Sequence, residues 1–510
     1  MNDQQEGADE SLPFSLKHFR KWMICFVVCN FNVDVGPEIE SVYPPTPLAS
    51  SDLSAICFNS FPERHEGEIT EDLSFSFALR NHSPKVSFDA FDYLYGKQDY
   101  FHGTCLFRQE QDNTVKRRFG QKSLVLLSQH DFPGLWVKLL HLMTSNNALG
   151  DIAVLETACM HVASWKPPTA GQHQLPFFGS VLAMDISPNP ALPLQGLIPS
   201  STGSREIFTP IFDVSGPVGN WYKLVHYLPS LAEIYIIFEQ AILAEPVAVL
   251  SKNPQICSEF VSAVVDLIRP VPYAGDSRPY ITMQSDLFST EIDGGLPQHY
   301  MIGITNPFLL RRLSVTSGNS GHREPHIVYL RNPESEVPLK PSHQEHNLRG
   351  DHQVPQGSSR PKQTKTHLSK DTAFLKSLSR MISGSNPLRE ENSDVAATVR
   401  RHFAALAGSL LAPLNRYFAT LTDSPSASPG GEVRYGNFSE ADFLQSLSKY
   451  GCSVKFRGTT SLQRQRTRDA FYKRFCQSPS FFRWLDMKTR IELAASTGVS
   501  PSDPTEKGAT

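Results

Sequence analysis

Apolar residues change their spacing along this chain, and each change marks an element. After the run Trp22–Cys29 comes FNVDVGPEIESVYPP, residues 31–45. Val33, Val35, Ile39 and Val42 line one side of a predicted hairpin. Gly36-Pro37 is its turn, and Pro44-Pro45 ends its second arm. In SSDLSAICFNSFPE, serine and aspartate offer a helix N-cap ahead of Leu53, Ile56 and Cys57 at helical spacing. DLSFSFALR alternates Phe75, Phe77 and Leu79 with small polar residues, the pattern of a half-buried strand. Residues 101–128 read as strand, turn at Asp112-Asn113, strand, then the apolar strand Leu124–Leu127. Two helices follow, one on Leu135, Leu139 and Leu142, the other on Ile152, Leu155, Cys159 and Val162. A meander with one early and two late helices is an α+β layer, expected as a first domain over 21–165.

Residues 166–216 are rich in Pro and Gly around one apolar island, LPFFGSVLAMDI. They read as a connector with a strand or two. A second α/β domain is expected over 217–313. Trp221–Leu228 and Leu231–Leu243 have helical spacing, and PVAVL is a short buried strand. The segment ICSEFVSAVVDLIRP puts Ile256, Phe260, Val264, Leu267 and Ile268 on one helix face that stops at Pro270. RPYITM and YMIGIT are two further strands. Strands alternating with helices predict a partly parallel sheet. Residues 314–372 are rich in Ser, His, Pro and charge. Burial there cannot offset ordering entropy, so a disordered insert is expected.

The last module, 373–498, is helical. Val395, Val399, Phe403, Leu406, Leu410, Leu414, Tyr417 and Leu421 recur at steps of three and four, and Pro413 should kink or split that helix. Beyond the loop DSPSASPGGE, FSEADFLQSLSKYG has a capping signal at Ser439 with Asp442 three residues on, and ends on Gly451. RDAFYKRFCQSPSFFRWL predicts a helix pair broken near Pro479. The polar tails 1–20 and 499–510 are expected to be disordered.

Composition narrows the function. The 510 residues suit two to four domains of about 100–200 each. A net charge of -3 gives no global basic surface for nucleic acid. Eight cysteines are scattered without a CxxC pair and read as reduced, buried thiols. The insert histidines (His322, His326, His343, His346, His352, His367) are irregularly spaced in a solvated linker, so no metal site is expected. The acidic opening is no signal peptide. The most apolar window, Ala232–Leu250, is broken by Glu233, Glu239, Glu245 and Pro246, so a soluble protein with at most peripheral membrane contact is expected. No GxxxxGK[ST], GxSxG, HExxH or GxGxxG occurs, and no nucleophile–base arrangement is visible, which speaks against a hydrolase. The acid pairs Glu38 with Glu40 and Glu71 with Asp72 read as solvated turn residues. KRRF (Lys116–Phe119) and RQRTR (Arg464–Arg468) read as solvated faces, with phosphate or lipid contact as the alternative.

Several segments, in order, resemble the DENN-domain proteins, which act as exchange factors for Rab GTPases. They are FNVDVGPEIESVYPP, ICFNSFPE, LFRQEQDNTVKRRFGQKSLVLLS, LPFFGSVLAMDI and LAEPVAVL, then RPVPYAGDSRPYITM followed by IGITNPFLL. VRRHFAALAGSLLAPLNRYFATL and FYKRFCQSPSFFRWLDMKTR look like the type-6 subfamily. The insert after Leu313 and the SPSASPGG loop depart from that pattern. The resemblance implies a longin-like first module, a central α/β DENN module, and C-terminal helices packed onto it. The cleft between the lobes would receive the GTPase. It implies an exchange factor without covalent chemistry or cofactor, acting on a GDP-bound Rab and preferring the nucleotide-free form. The subfamily implies a recycling-endosome Rab and a cytoplasmic protein held peripherally on endosomal membranes.

Candidate contacts are Tyr273, Asp276, Arg278 and Tyr280, around GDSRPY, and Asn306 in TNPF. An internal reading competes for each. Asp276 and Arg278 would form an internal ion pair or cap a turn, Tyr280 would be core, and Asn306-Pro307 would end a strand. The same groove would also serve a DENN-fold scaffold or Rab-binding adaptor without exchange activity.

Overall fold

The computed structural model describes residues 12–32, 34–63, 72–83, 100–111, 119–186, 209–288, 297–313, 323–331, 366–383, 393–422 and 438–497. Val33, the turn at Asp112-Asn113, Lys116–Arg118, residues 314–322 and 332–365, the loop DSPSASPGGE and the tail 499–510 lie outside them. The fold is mixed α/β.

Helix α1 (Leu16–Phe19) leads into β1 (Cys25–Asn32) and β2 (Gly36–Tyr43). Helix α2 (Ser50–Asn59), β3 (Leu73–Arg80), β4 (Tyr100–Gln111), β5 (Phe119–Ser128), α3 (Pro133–Thr144) and α4 (Ile152–Ser164) complete the first module. The five strands form one antiparallel sheet in the order β2-β1-β5-β4-β3. Alternation along β1 explains its two cores. Phe26 and Val28 face α3 and α4, among Leu135, Trp136, Leu139 and Cys159. Cys25 and Val27 face the other side, with Ile56 of α2, Phe75 and Phe77.

Several details differ from the sequence reading. The hairpin turns before Gly36, which opens β2 at φ +102, a conformation glycine adopts without strain. Ala49 is the N-cap of α2 and makes no side-chain cap bond. Asp52 is buried instead, and its carboxylate accepts from His82 N–H and Ser83 Oγ. Part of the tail expected to be disordered forms α1, because Phe19 is fully buried in the core. The connector holds three strands, β6 (Gly171–Phe177), β7 (Ser180–Ile186) and β8 (Ile211–Asp213). Leu175, Phe177, Leu182 and Met184 extend the first module's core.

The second sheet contains β9 (Val247–Leu250), β10 (Asp276–Arg278), β11 (Tyr300–Ile304) and β12 (His326–Tyr329), all parallel, in the order β10-β11-β9-β12. Around it lie α5 (Trp221–Leu224), α6 (Glu233–Ile242) and α7 (Pro254–Leu267). The strand expected at RPYITM falls earlier and is shorter, since Pro279 has no N–H to continue the ladder. The insert is not wholly without structure. Val328 and Leu330 fill the core beside β9, so its described residues 323–331 supply β12. Glu239 of α6, fully buried, accepts from the backbone N–H groups of His367 and Leu368, both at 2.8 Å. A buried carboxylate needs such donors, which fixes residues 366–368 in place.

The remaining helices are α8 (Thr372–Ser383), α9 (Ser393–Thr422), α10 (Glu440–Tyr450), α11 (Ser461–Cys476) and α12 (Pro479–Thr497). They share one core with α6 and α7, where Phe238 and Phe403 lie 5.0 Å apart. Pro413 does not split α9. The Ser409 carbonyl that Pro413 cannot reach lies 4.0 Å from Cys452 Sγ. Among the described residues, no helix is long and apolar enough to cross a membrane.

Candidate functional site at the seam between sheets

β3 is the edge strand of the first sheet, so one row of its backbone groups needs partners from elsewhere. The second module supplies them. Ser76 N–H donates to Ser258 Oγ of α7 at 2.8 Å, and Ser74 N–H to Gln255 Oε1 at 3.3 Å. The Ala78 carbonyl accepts from Arg278 Nη1 at 2.9 Å. Every second residue of β3 therefore bonds across the seam.

Arg278 is completely buried. Its Nε donates to Asp276 Oδ1 at 3.0 Å and its Nη1 to Asp286 Oδ1 at 2.7 Å. Tyr100 of β4 donates its hydroxyl to Asp276 at 3.2 Å, and its ring centre lies 5.0 Å from the guanidinium carbon. Burial alone would push this guanidinium down. The two carboxylates outweigh that and hold it above its ordinary range. Burial would likewise raise the Asp286 carboxyl, but the Arg278 charge and hydrogen bonds hold it below the usual carboxylate value.

Tyr280 is also fully buried, in the first module's core, edge-on to Phe75 at 5.1 Å. Its hydroxyl accepts from Glu63 N–H at 3.1 Å and lies 3.4 Å from Thr305 Oγ1. Met283 N–H donates to the Glu63 carboxylate, and Thr282 Oγ1 to Asn59 Oδ1 at 3.4 Å. Tyr273 is half-buried against the core of the second module, and burial pushes its phenol well up.

The structure thus gathers Asp276, Arg278 and Tyr280 into the interior of the seam, where the internal reading describes them. Arg278 and Tyr280 have no exposed surface, and Asp276 keeps only a few per cent of its own. Asn306 differs. It follows β11, is partly exposed, and accepts from Phe308 N–H at 3.1 Å, capping the short helical segment that begins there. Phe308 is 64% exposed, and Arg311 and Arg312 beside it are exposed too. Arg312 donates to the carbonyls of Met283 (3.3 Å) and Phe288 (3.1 Å), linking this edge to the seam.

This edge lies where β11, β9 and β12 end, and Tyr329 at the end of β12 is half exposed. In open parallel sheets the carboxyl ends of the strands are where partners and ligands dock. Sequence reasoning missed Phe308, Glu63 and Asp286. The signal for Phe308 was an apolar residue straight after Asn-Pro. Asp286, eight residues from Arg278, follows no periodicity.

The seam also encloses a small space. Its cavity, bounded by Ser76, Phe132, Met184, Asp266 and Ser277, holds about 130 Å³, room for waters and too little for a nucleotide. On α7, burial pushes the Cys257 thiol up to about 12, far from a thiolate nucleophile. Among the described residues, no three of His, Cys, Asp and Glu converge as metal ligands.

No family model matches the chain. Over 94% of its length it is 28% identical to Protein DENND6A of Gallus gallus, across 82% of that protein. Over 91% it is 29% identical to Protein DENND6B of Homo sapiens, across 79% of that protein. Over 92% it is 25% identical to Protein DENND6 homolog of Dictyostelium discoideum, across 71% of that protein.

Proposed function

We propose that this chain, a DENN-family protein of the type-6 kind, promotes GDP release from a Rab-family GTPase at endosomal membranes. The observation that carries this reading is the extent of the likeness, which runs over 94% of this chain and 82% of the Gallus gallus relative. The seam's geometry supports it. An exchange factor performs no covalent step. It needs a rigid surface that binds the nucleotide-free GTPase more tightly than the loaded one, and nucleotide binding then weakens the complex by the same factor. Asn306, Phe308 and Arg311 supply an apolar anchor flanked by polar groups, the composition of an interface centre. The interior tie of Arg278 holds the two sheets so that this edge meets the partner as one body.

Release of fluorescent GDP from a panel of purified Rab proteins tests the proposal. Selective acceleration of one Rab is the expected result. Phe308→Ala should slow that acceleration about tenfold or more at unchanged melting temperature, and adding Asn306→Ala, which also removes a helix cap, should slow it further. Binding that prefers the GTP form, without acceleration, would favour the adaptor instead.

A further inference from the structure

A second surface lies on the C-terminal helices, away from the seam. It is a cleft of about 680 Å³ between the end of α10, residues 452–458 and the first turns of α11. Lys455, Arg457, Arg464 and Arg468 line it, and no aspartate or glutamate does. Backbone bonds hold its floor. Ser369 N–H donates to the Lys455 carbonyl at 3.0 Å and Arg457 N–H to the His367 carbonyl at 2.8 Å, around the antiparallel bridge of Leu368 with Phe456.

Two of the four cations are partly engaged. Arg457 donates to Thr366 Oγ1 at 2.8 Å, and Arg468 pairs with Asp469 at 2.7 Å. Lys455 and Arg464 are exposed and pair with no carboxylate among the described residues. Four like charges gathered on one cleft repel each other, and a bound anion relieves that repulsion.

The rim is apolar in two places. Leu462, 57% exposed, stands on the stripe of α11 next to the lining residues, one turn before exposed Arg466. Tyr450, also 57% exposed, lies in the chain between the lining residues Ser448 and Cys452. Arg416 and Lys449 flank its ring at 5.3 and 5.1 Å. Basic groups interleaved with exposed apolar side chains suit an anionic bilayer surface, where charge attracts and the apolar tips enter the headgroup layer.

We propose that this cleft binds the phosphorylated headgroups of anionic membrane lipids and so lays the C-terminal helices against the membrane. Leu462 and Tyr450 favour a lipid over a soluble phosphate, which would leave both in water. The lipid site stands on different residues from the exchange proposal. It is measured without a GTPase, so the two fail separately.

The test is co-sedimentation of the full chain with vesicles. One set is phosphatidylcholine alone; the other adds phosphatidylserine and a phosphatidylinositol bisphosphate. Binding to the second set only, falling as salt rises, is expected. Lys455→Glu with Arg464→Glu should weaken it by ~10-fold or more at unchanged melting temperature. Leu462→Asp should weaken vesicle binding while leaving soluble inositol trisphosphate binding intact. Equal binding to both vesicle sets, or no effect of the charge reversals, would overturn the proposal. Binding of soluble trisphosphate or a phosphopeptide without vesicle binding would also overturn it, by assigning the cleft to another anion.

Discussion

Replacing Arg278 by methionine keeps most of its stem and removes the charge that Asp276 and Asp286 share. Those carboxylates are only 7% and 14% exposed. Asp276 would keep the Tyr100 hydroxyl and Asp286 the longer Arg80 pair at 3.8 Å, but losing the buried guanidinium should still cost about 3–5 kcal/mol, read as a lowered urea midpoint of the full chain. The pH dependence follows from Asp286. Its folded pKa is depressed, so its stabilisation is present above the unfolded value near ~3.9 and is lost only as pH falls through the lower folded value. In Arg278→Met, burial would instead raise that pKa, and the variant should gain relative stability as the solution is acidified from neutrality. Matching midpoints for the two proteins would contradict the tie. His130 titrates in a different window. Burial pushes it down to about 4, with its Nε2 2.8 Å from the Lys21 carbonyl. The unfolded state takes up its proton first, so stability is full above about pH 6.5 and is lost toward pH 4, by roughly 3 kcal/mol. His130→Gln should flatten that acid limb in urea titrations at a series of pH values.

At the scale of elements, the junction of β3 with α7 decides whether the two sheets act together. Ser258→Ala removes the acceptor for Ser76 N–H and leaves that group buried. The expected loss is about 1–3 kcal/mol, with faster hydrogen exchange at Ser76. Unchanged exchange there would place the contact outside the stable structure. Much of this layer was legible in the sequence. Alternation in DLSFSFALR marks β3, and Ile256, Phe260 and Val264 mark α7, because the apolar residues of each recur at the period of its element. What the pattern hid was burial of both faces of β3, since the second covering comes from residues some 180 positions away. The insert misled for a related reason. Four residues, His326–Tyr329, are too few to show a period, and residues 366–368 are held by a buried carboxylate that counts as polar in any window. For the candidate site, the sequence named the segments and offered two competing readings for Asp276, Arg278, Tyr280 and Asn306. Only the folded chain separates buried Arg278 from the exposed edge after Asn306.

At the scale of the whole molecule, two sheets are tied edge to helix through buried ionic and hydrogen-bonded contacts. The C-terminal helices share a core with the second sheet. A body built this way presents the strand ends at Asn306 and Phe308 in a fixed relation to α2 and the first sheet. The cavity at the seam, about 130 Å³, is too small for a nucleotide. The proposed exchange activity would rest on the surface at those strand ends, and the coupling between GTPase and nucleotide is the quantity that tests it. The measurement that reaches it most directly is the rate of fluorescent GDP release from each of a panel of Rab proteins, with the full chain at increasing concentration. The account predicts saturable acceleration for one Rab, strongly reduced by Asn306→Ala with Phe308→Ala. Spontaneous release rates for every Rab, together with no preference for the nucleotide-free form in direct binding, would contradict it.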